Sequence, residues 1–132
     1  MKVIIAGSRN ITDYTKLLNA IKVFIQTKGF ITEVISGGAK GIDSLAVTFA
    51  TNEEIPCKVF KADWKNLNAP MASIKRNQFG FYNARAGLDR NTRMAEYGEA
   101  LIAIWDGKSK GTLDMINKAK EKNLTTLVVT IE

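Results

Sequence analysis

The chain changes its hydrophobic period again and again along its length. The consecutive apolar residues Val3-Ile4-Ile5 end in Gly7-Ser8-Arg9, and Leu17, Ile21, Phe24 and Ile25 follow at the spacing of one helix face. This reads as a strand over Lys2–Ala6 and a helix capped by Asp13 that runs to about Lys28, with Gly29 as its stop. The alternation then continues. Thr32–Ser36 reads as a strand, about Ile42 to Asn52 as a helix, and Pro56–Lys61 as a strand whose proline sits at its start. A helix from Asp89 to about Gly98 leads into the apolar strand Ala100–Trp105. After the turn Asp106–Lys110 come a helix over Gly111–Lys122 and a last strand over Thr125–Ile131.

Strands that alternate with helices require crossovers returning right-handedly to the same edge, and so a parallel sheet. Runs such as Leu101-Ile102-Ala103-Ile104 call for a sheet covered on both faces. The expectation is an α/β, Rossmann-like three-layer fold with a five-stranded parallel sheet in the order 3-2-1-4-5, forming a single domain over residues 1–132. In that order the first and fourth strands are neighbours where the winding reverses, and ligands of open α/β sheets bind in the crevice at that point.

Three turns should converge there: Gly7-Ser8-Arg9, Ser36-Gly37-Gly38-Ala39-Lys40-Gly41, and Asp106-Gly107-Lys108-Ser109-Lys110-Gly111-Thr112. Glycines let backbone approach a ligand, and the helix N-termini behind the second and third turns offer unpaired N–H groups to phosphate. Two familiar motifs are absent. The first glycine of a P-loop ending at Gly107-Lys108-Ser109 would fall on Ile102, inside a strand. Gly7-Ser8-Arg9-Asn10-Ile11-Thr12 does not fit the dinucleotide fingerprint G-x-G-x-x-G.

Composition narrows the chemistry. There is no histidine and a single cysteine, Cys57, so imidazole triads, Cys/His metal sites and an internal disulfide are ruled out. No metal or cofactor is expected. No apolar run approaches a membrane span, so a cytoplasmic protein without a membrane partner is expected. The net charge of +6 is concentrated: Lys65, Lys75, Arg76, Arg85, Arg90 and Arg93 stand against the single acid Asp89. Much of that window, about residues 65–88, has no convincing period. A structureless loop of that length is uncommon in a compact domain. Its interleaved Phe79, Phe81 and Tyr82 point to a functional loop, a lid or an arm reaching a partner subunit.

At this point the residues resemble a family. Gly7-Ser8-Arg9 followed by Ser36-Gly37-Gly38-Ala39-Lys40-Gly41-Ile42-Asp43-Ser44-Leu45-Ala46 resembles the core of the SLOG superfamily, which includes the DprA/Smf DNA-processing proteins and the Lonely Guy nucleotide hydrolases. Arg90-Asn91-Thr92-Arg93-Met94 is similar to its Arg-bearing helix start, and Gly107 to Thr112 to its glycine–threonine phosphate turn. Ala62-Asp63-Trp64 and Trp105-Asp106-Gly107 resemble the small stand-alone YspA-like branch of bacteria and phages. The candidate ligand-binding residues are Gly7, Ser8, Arg9, Ser36, Gly37, Gly38, Gly41, Asp43, Arg90, Asn91, Asp106, Gly107, Ser109, Gly111 and Thr112.

The resemblance implies three functions. The first is binding, by sensing or sequestering, of a nucleotide or nucleotide-derived phosphate ligand. The second is Lonely Guy-like N-glycosidase action on nucleoside 5′-monophosphates, and the third is DprA-like binding of single-stranded DNA. Lonely Guy enzymes use an Arg, matched by Arg90, and a Glu three residues after the turn threonine. Met115 stands at that position; Arg90 and the adjacent Asp114 are the catalytic candidates, with Asp43, Glu96 and Asp106 as substitute carboxylates, and the missing Glu favours a protein that is not an enzyme. The same resemblance implies a homodimer.

Overall fold

The structure, a computed structural model, describes residues 1–131. Its elements in chain order are β1 (Lys2–Gly7), α1 (Tyr14–Thr27), β2 (Glu33–Ser36), α2 (Ile42–Asn52), β3 (Cys57–Val59), β4 (Ile74–Asn77), β5 (Gly80–Asn83), α3 (Ala86–Tyr97), β6 (Ala100–Trp105), α4 (Lys110–Glu121) and β7 (Thr125–Thr130). Five strands form one sheet in the order β3-β2-β1-β6-β7, with every pair parallel. With the β4-β5 pair set apart, this is the expected order of five alternating strands. None of the helices is long and apolar enough to cross a membrane among the described residues.

The apolar strands divide their side chains between two cores. Val3 and Ile5 of β1 and Ile102 and Ile104 of β6 pack with Leu17, Ile21 and Phe24 of α1 and Ile42, Ala46 and Phe49 of α2. The intervening Ile4, Ala6, Leu101 and Ala103 face Met94 and Ala95 of α3 and Met115, Ile116 and Ala119 of α4. Successive strand side chains point to opposite faces, so an unbroken apolar run signals a strand sandwiched between helices. The helix starts follow local chemistry. Asp13 Oδ1 accepts from Thr15 N at 2.9 Å, and Ser109 Oγ accepts from Thr112 N at 3.4 Å.

The stretch expected to lack regular structure instead contains an antiparallel hairpin, β4 against β5, with Asn77 opposite Gly80. Its two-residue loop is Gln78-Phe79, which carries none of the Asn-Gly or Gly-x signals that announce a hairpin. Its outer strand residues are exposed, so no alternating apolar face marks it either. The helix behind it starts at Ala86 rather than Asp89. Asn83 fixes the base of the hairpin. Buried to 1% exposure, it accepts at Oδ1 from Ser73 N and Arg85 N, and its own N–H donates to the Trp64 carbonyl.

Asn83→Ala would leave two backbone donors without their acceptor, at a local cost of about 1–3 kcal/mol each where water cannot replace it. Amide hydrogen exchange across residues 73–85 should accelerate by roughly tenfold or more, while β1 and β6 keep their protection. Equal protection in both proteins would mean that Asn83 does not hold the hairpin.

Candidate functional site

Because all five sheet strands are parallel, the turns after β1, β2, β3 and β6 leave from the same edge. Specific contacts lock them together. Ser8 N donates to Ile104 O at 3.1 Å, and Ser8 Oγ accepts from Asp106 N at 3.1 Å, which joins the first turn to the last. Gly41, at φ +75°, brings the second turn onto the first: a Cβ there would lie 2.6 Å from the carbonyl oxygens of Ser8 and Arg9. Gly7 is equally constrained, since its Cβ would meet Ile104 O at 2.5 Å and Ile42 Cβ at 2.7 Å. Ser36 Oγ donates to Asp43 O and accepts from Gly38 N, folding the second turn back over the start of α2.

Arg90 reaches this assembly from α3. Its Nη1 donates to Gly37 O at 2.7 Å and its Nε to Asn91 Oδ1 at 3.1 Å. Opposite it lies the buried carboxylate of Asp43, whose Oδ2 accepts from Ala39 N at 3.3 Å. Arg90 Nη1 and Asp43 Oδ2 flank the place where a Gly37 Cβ would stand, at 2.6 and 2.8 Å from it. They are not within ion-pair distance, and among the described residues the ion pair formed is Lys118 with Asp114. Burial pulls the Arg90 guanidinium below its usual value, with the charge of Asp43 acting against that. A desolvated cation without a matched carboxylate favours an arriving anion.

Two neighbouring spaces that share Arg9, Ala39 and Arg90 open here. A cleft of 420 Å³ is lined by Arg9, the Gly37–Lys40 segment, Lys61, Ala62, Trp64 and Arg90. A slot of 70 Å³ continues over the N-terminus of α4 between Asp43, Asn91, Ser109 and Thr112, with Met115 at its wall. Among the predicted residues, Gly7, Arg9, Gly37, Gly38, Asp43, Arg90, Asn91, Ser109, Gly111 and Thr112 line one space or the other. Ser8, Ser36 and Gly41 stand behind them and hold the turns. Asp106 closes its own turn by accepting from Lys108 N and Ser109 N, which keep its carboxylate below the usual range, and it borders a different hollow beside Asn10 and Asp13. Gly107 is exposed on the same turn.

Asp114 does not line the crevice. Its carboxylate is held by Lys118 Nζ at 2.7 Å and Asn91 Nδ2 at 3.0 Å. Lys40, Lys61 and Trp64 line the cleft but lay outside the predicted set. The signal that could have found Lys61 and Trp64 is positional: they follow β3, whose C-terminal end abuts the same edge. Among the described residues no group of three or more metal-ligating side chains gathers.

Burial raises the Asp43 carboxyl above its ordinary 3.8, against the pull of the Ala39 N–H, Arg90, Arg9 and the Gly7 N–H. The folded protein therefore holds this proton more tightly than the unfolded chain. That contribution to stability is present below pH 3.8 and is lost as pH rises through the folded-state value. Asp43→Asn stays uncharged throughout. Its stability relative to the native protein should increase as pH is raised from 3.8 through the folded-state value of Asp43, measured by parallel urea melts. A constant difference would show that the crevice fully compensates the Asp43 charge.

Among solved structures, DNA processing protein A (DprA) from Streptococcus pneumoniae superposes with a TM-score of 0.69 at 18% identity, a likeness of fold. The match covers 99% of this chain and 50% of that one, so the chain spans about half the length of DprA. No curated protein sequence matches it significantly. The family model described as YspA, cpYpsA-related SLOG family matches residues 1–67, which contain the first two turns, Asp43 and Trp64. The chain belongs to that family, YAcAr, within the SLOG group.

Proposed function

We propose that the protein binds a nucleotide or nucleotide-derived phosphate ligand at the C-terminal edge of its sheet, and acts by sensing or sequestering it. The charge of the cleft carries this reading. Arg9, Lys40, Lys61 and Arg90 line it together, and no acidic side chain is among its walls. Four cations around one concavity raise the local concentration of anions and leave like charges to be neutralised by a ligand. The slot beyond adds the N-terminal end of α4, where backbone N–H groups and the hydroxyls of Ser109 and Thr112 suit phosphate oxygens.

N-glycosidase activity receives less support. Met115 borders the slot where the resemblance calls for a carboxylate, and Asp114 is engaged with Lys118 and Asn91 away from it. Asp43 remains in the slot, where its Oδ2 already accepts from the Ala39 N–H. A second reading, single-stranded DNA binding, is favoured by the hairpin. There Phe79 and Phe81 are exposed and the Arg76 guanidinium lies 5.7 Å from the Phe81 ring centre. A steep fall of affinity with salt is the mark of that mode. We propose the same hairpin as a lid, or as an arm that reaches a partner subunit in a homodimer.

Nucleotide at a hundredfold excess over Kd should stabilise the protein by about 2.7 kcal/mol, a rise on the order of 10 °C in Tm at this chain length. Gly111→Val should abolish that rise. A Cβ at Gly111 meets nothing within 4 Å in the free protein, so the unliganded Tm should change little while the added branches occupy the slot. If mononucleotides, dinucleotides and cyclic nucleotides all leave the native Tm unmoved, the binding reading fails.

Incubation with nucleoside 5′-monophosphates should release little or no free base, as followed by chromatography. Robust release that disappears in Arg90→Ala would replace binding with hydrolysis as the function.

A further inference from the structure

We infer that Trp64 is the stacking wall for a heterocyclic base, so that the ligand is a nucleotide recognised at both phosphate and base rather than a sugar phosphate or free phosphate. This rests on the nucleotide-binding reading of the same cleft and names the part of the ligand that the cations do not explain. The walls of the cleft are chemically divided. Arg9, Lys40, Lys61 and Arg90 supply charge, and the indole of Trp64 is the one aromatic surface among them. The volume of 420 Å³ lies in the range of about 300–1,000 Å³ usual for small organic ligands and far exceeds the needs of an inorganic anion.

An indole that served only to anchor its loop would be buried, because burial is the source of its stabilisation. Trp64 is 40% exposed and is one of the residues that line the cleft. Its placement is nevertheless fixed from two sides. Gly87 lets α3 approach the ring: the Cβ it lacks would lie 3.2 Å from Trp64 Cη2. The Trp64 carbonyl accepts from Asn83 N at 2.6 Å, so the base of the hairpin holds its backbone. An aromatic surface that is both held in place and open to a cleft loses little conformational freedom when a flat ligand settles on it.

Three other rings, Tyr97, Phe60 and Phe81, already have cationic partners. Lys2 and Lys58 lie over Tyr97, Lys58 and Arg93 over Phe60, and Arg76 over Phe81. Among the described residues no cation lies over Trp64. Trp64 also lies close to the charge of the cleft. Arg90 Nη2 and Trp64 Cη2 stand 3.8 and 3.2 Å from the same absent Cβ of Gly87, so one ligand can meet guanidinium and indole together.

The test uses the native protein with AMP, GMP, CMP and UMP, and with ribose 5-phosphate as the probe that lacks a base. Calorimetry gives affinities, and tryptophan fluorescence reports on the ring. Nucleotides should bind at least tenfold more tightly than ribose 5-phosphate and quench the native fluorescence. In Trp64→Ala that advantage should vanish while ribose 5-phosphate affinity stays unchanged, and Trp64→Phe should recover most of it without the quenching. The inference is overturned if ribose 5-phosphate binds the native protein as tightly as the nucleotides do, a comparison that needs no variant to fold. It is also overturned if Trp64→Ala binds nucleotides unchanged. Should no nucleotide bind the native protein at all, the nucleotide-binding reading falls with it, whereas the first two results leave that reading standing.

Discussion

The pairing of β1 with β6 governs everything that follows at the sheet edge. These strands are far apart in sequence, yet Val3 to Gly7 run in register beside Ala100 to Ile104. Winding proceeds outward from β1 to β2 and β3 on one side and from β6 to β7 on the other. Helices α1 and α2 therefore pack on one face and α3 and α4 on the other, and the chain parts at the join. A gap outside the strand ends is the geometric result of that reversal. Long-range pairing of this kind orders backbone that no local propensity could place.

What fills the gap is held by close backbone contact. Gly7 and Gly41 let three chain segments meet at distances that a side chain would forbid, and Ser8 bridges the outer two by accepting from Asp106 N. The consequence is a rigid rim into which Arg90 projects, already hydrogen-bonded to Gly37 O. Preorganised donors of this sort lose little on meeting an anion. The partly desolvated Arg90 and Asp43, not paired with each other, leave the crevice electrostatically uneven. Such unevenness is costly to an empty site and useful to an occupied one.

The hairpin shows a different economy of structure. It has no apolar face of its own and depends on Asn83, through Ser73, Arg85 and the Trp64 carbonyl, for its attachment. Exposed Phe79 and Phe81 contribute nothing to the core. Its link to the Trp64 carbonyl ties it to one residue of the cleft wall, although its own residues line no part of the cleft and its strands stand outside the sheet.

The sequence alone was enough to determine the alternation of elements, the parallel sheet and the glycine turns after β1, β2 and β6, because these depend on local period and on the steric rules of chain connection. Asp13 as a cap and Gly7 as a close-approach residue were legible for the same reason: each acts on backbone within or beside its own turn. The hairpin was not legible, since its loop Gln78-Phe79 is neither an Asn-Gly nor a Gly-x pair and its strands bury no apolar side chain, only Asn83. Nor could spacing tell Asp43, which lines the slot, from Asp114, which turns to Lys118, or show that Lys61 and Trp64 join Arg9 and Arg90 across the cleft. Those assignments depend on which helix face meets which neighbour and on where an edge strand ends. Only tertiary packing decides them, because contacts between residues distant in the chain exist only once the sheet has brought its turns together.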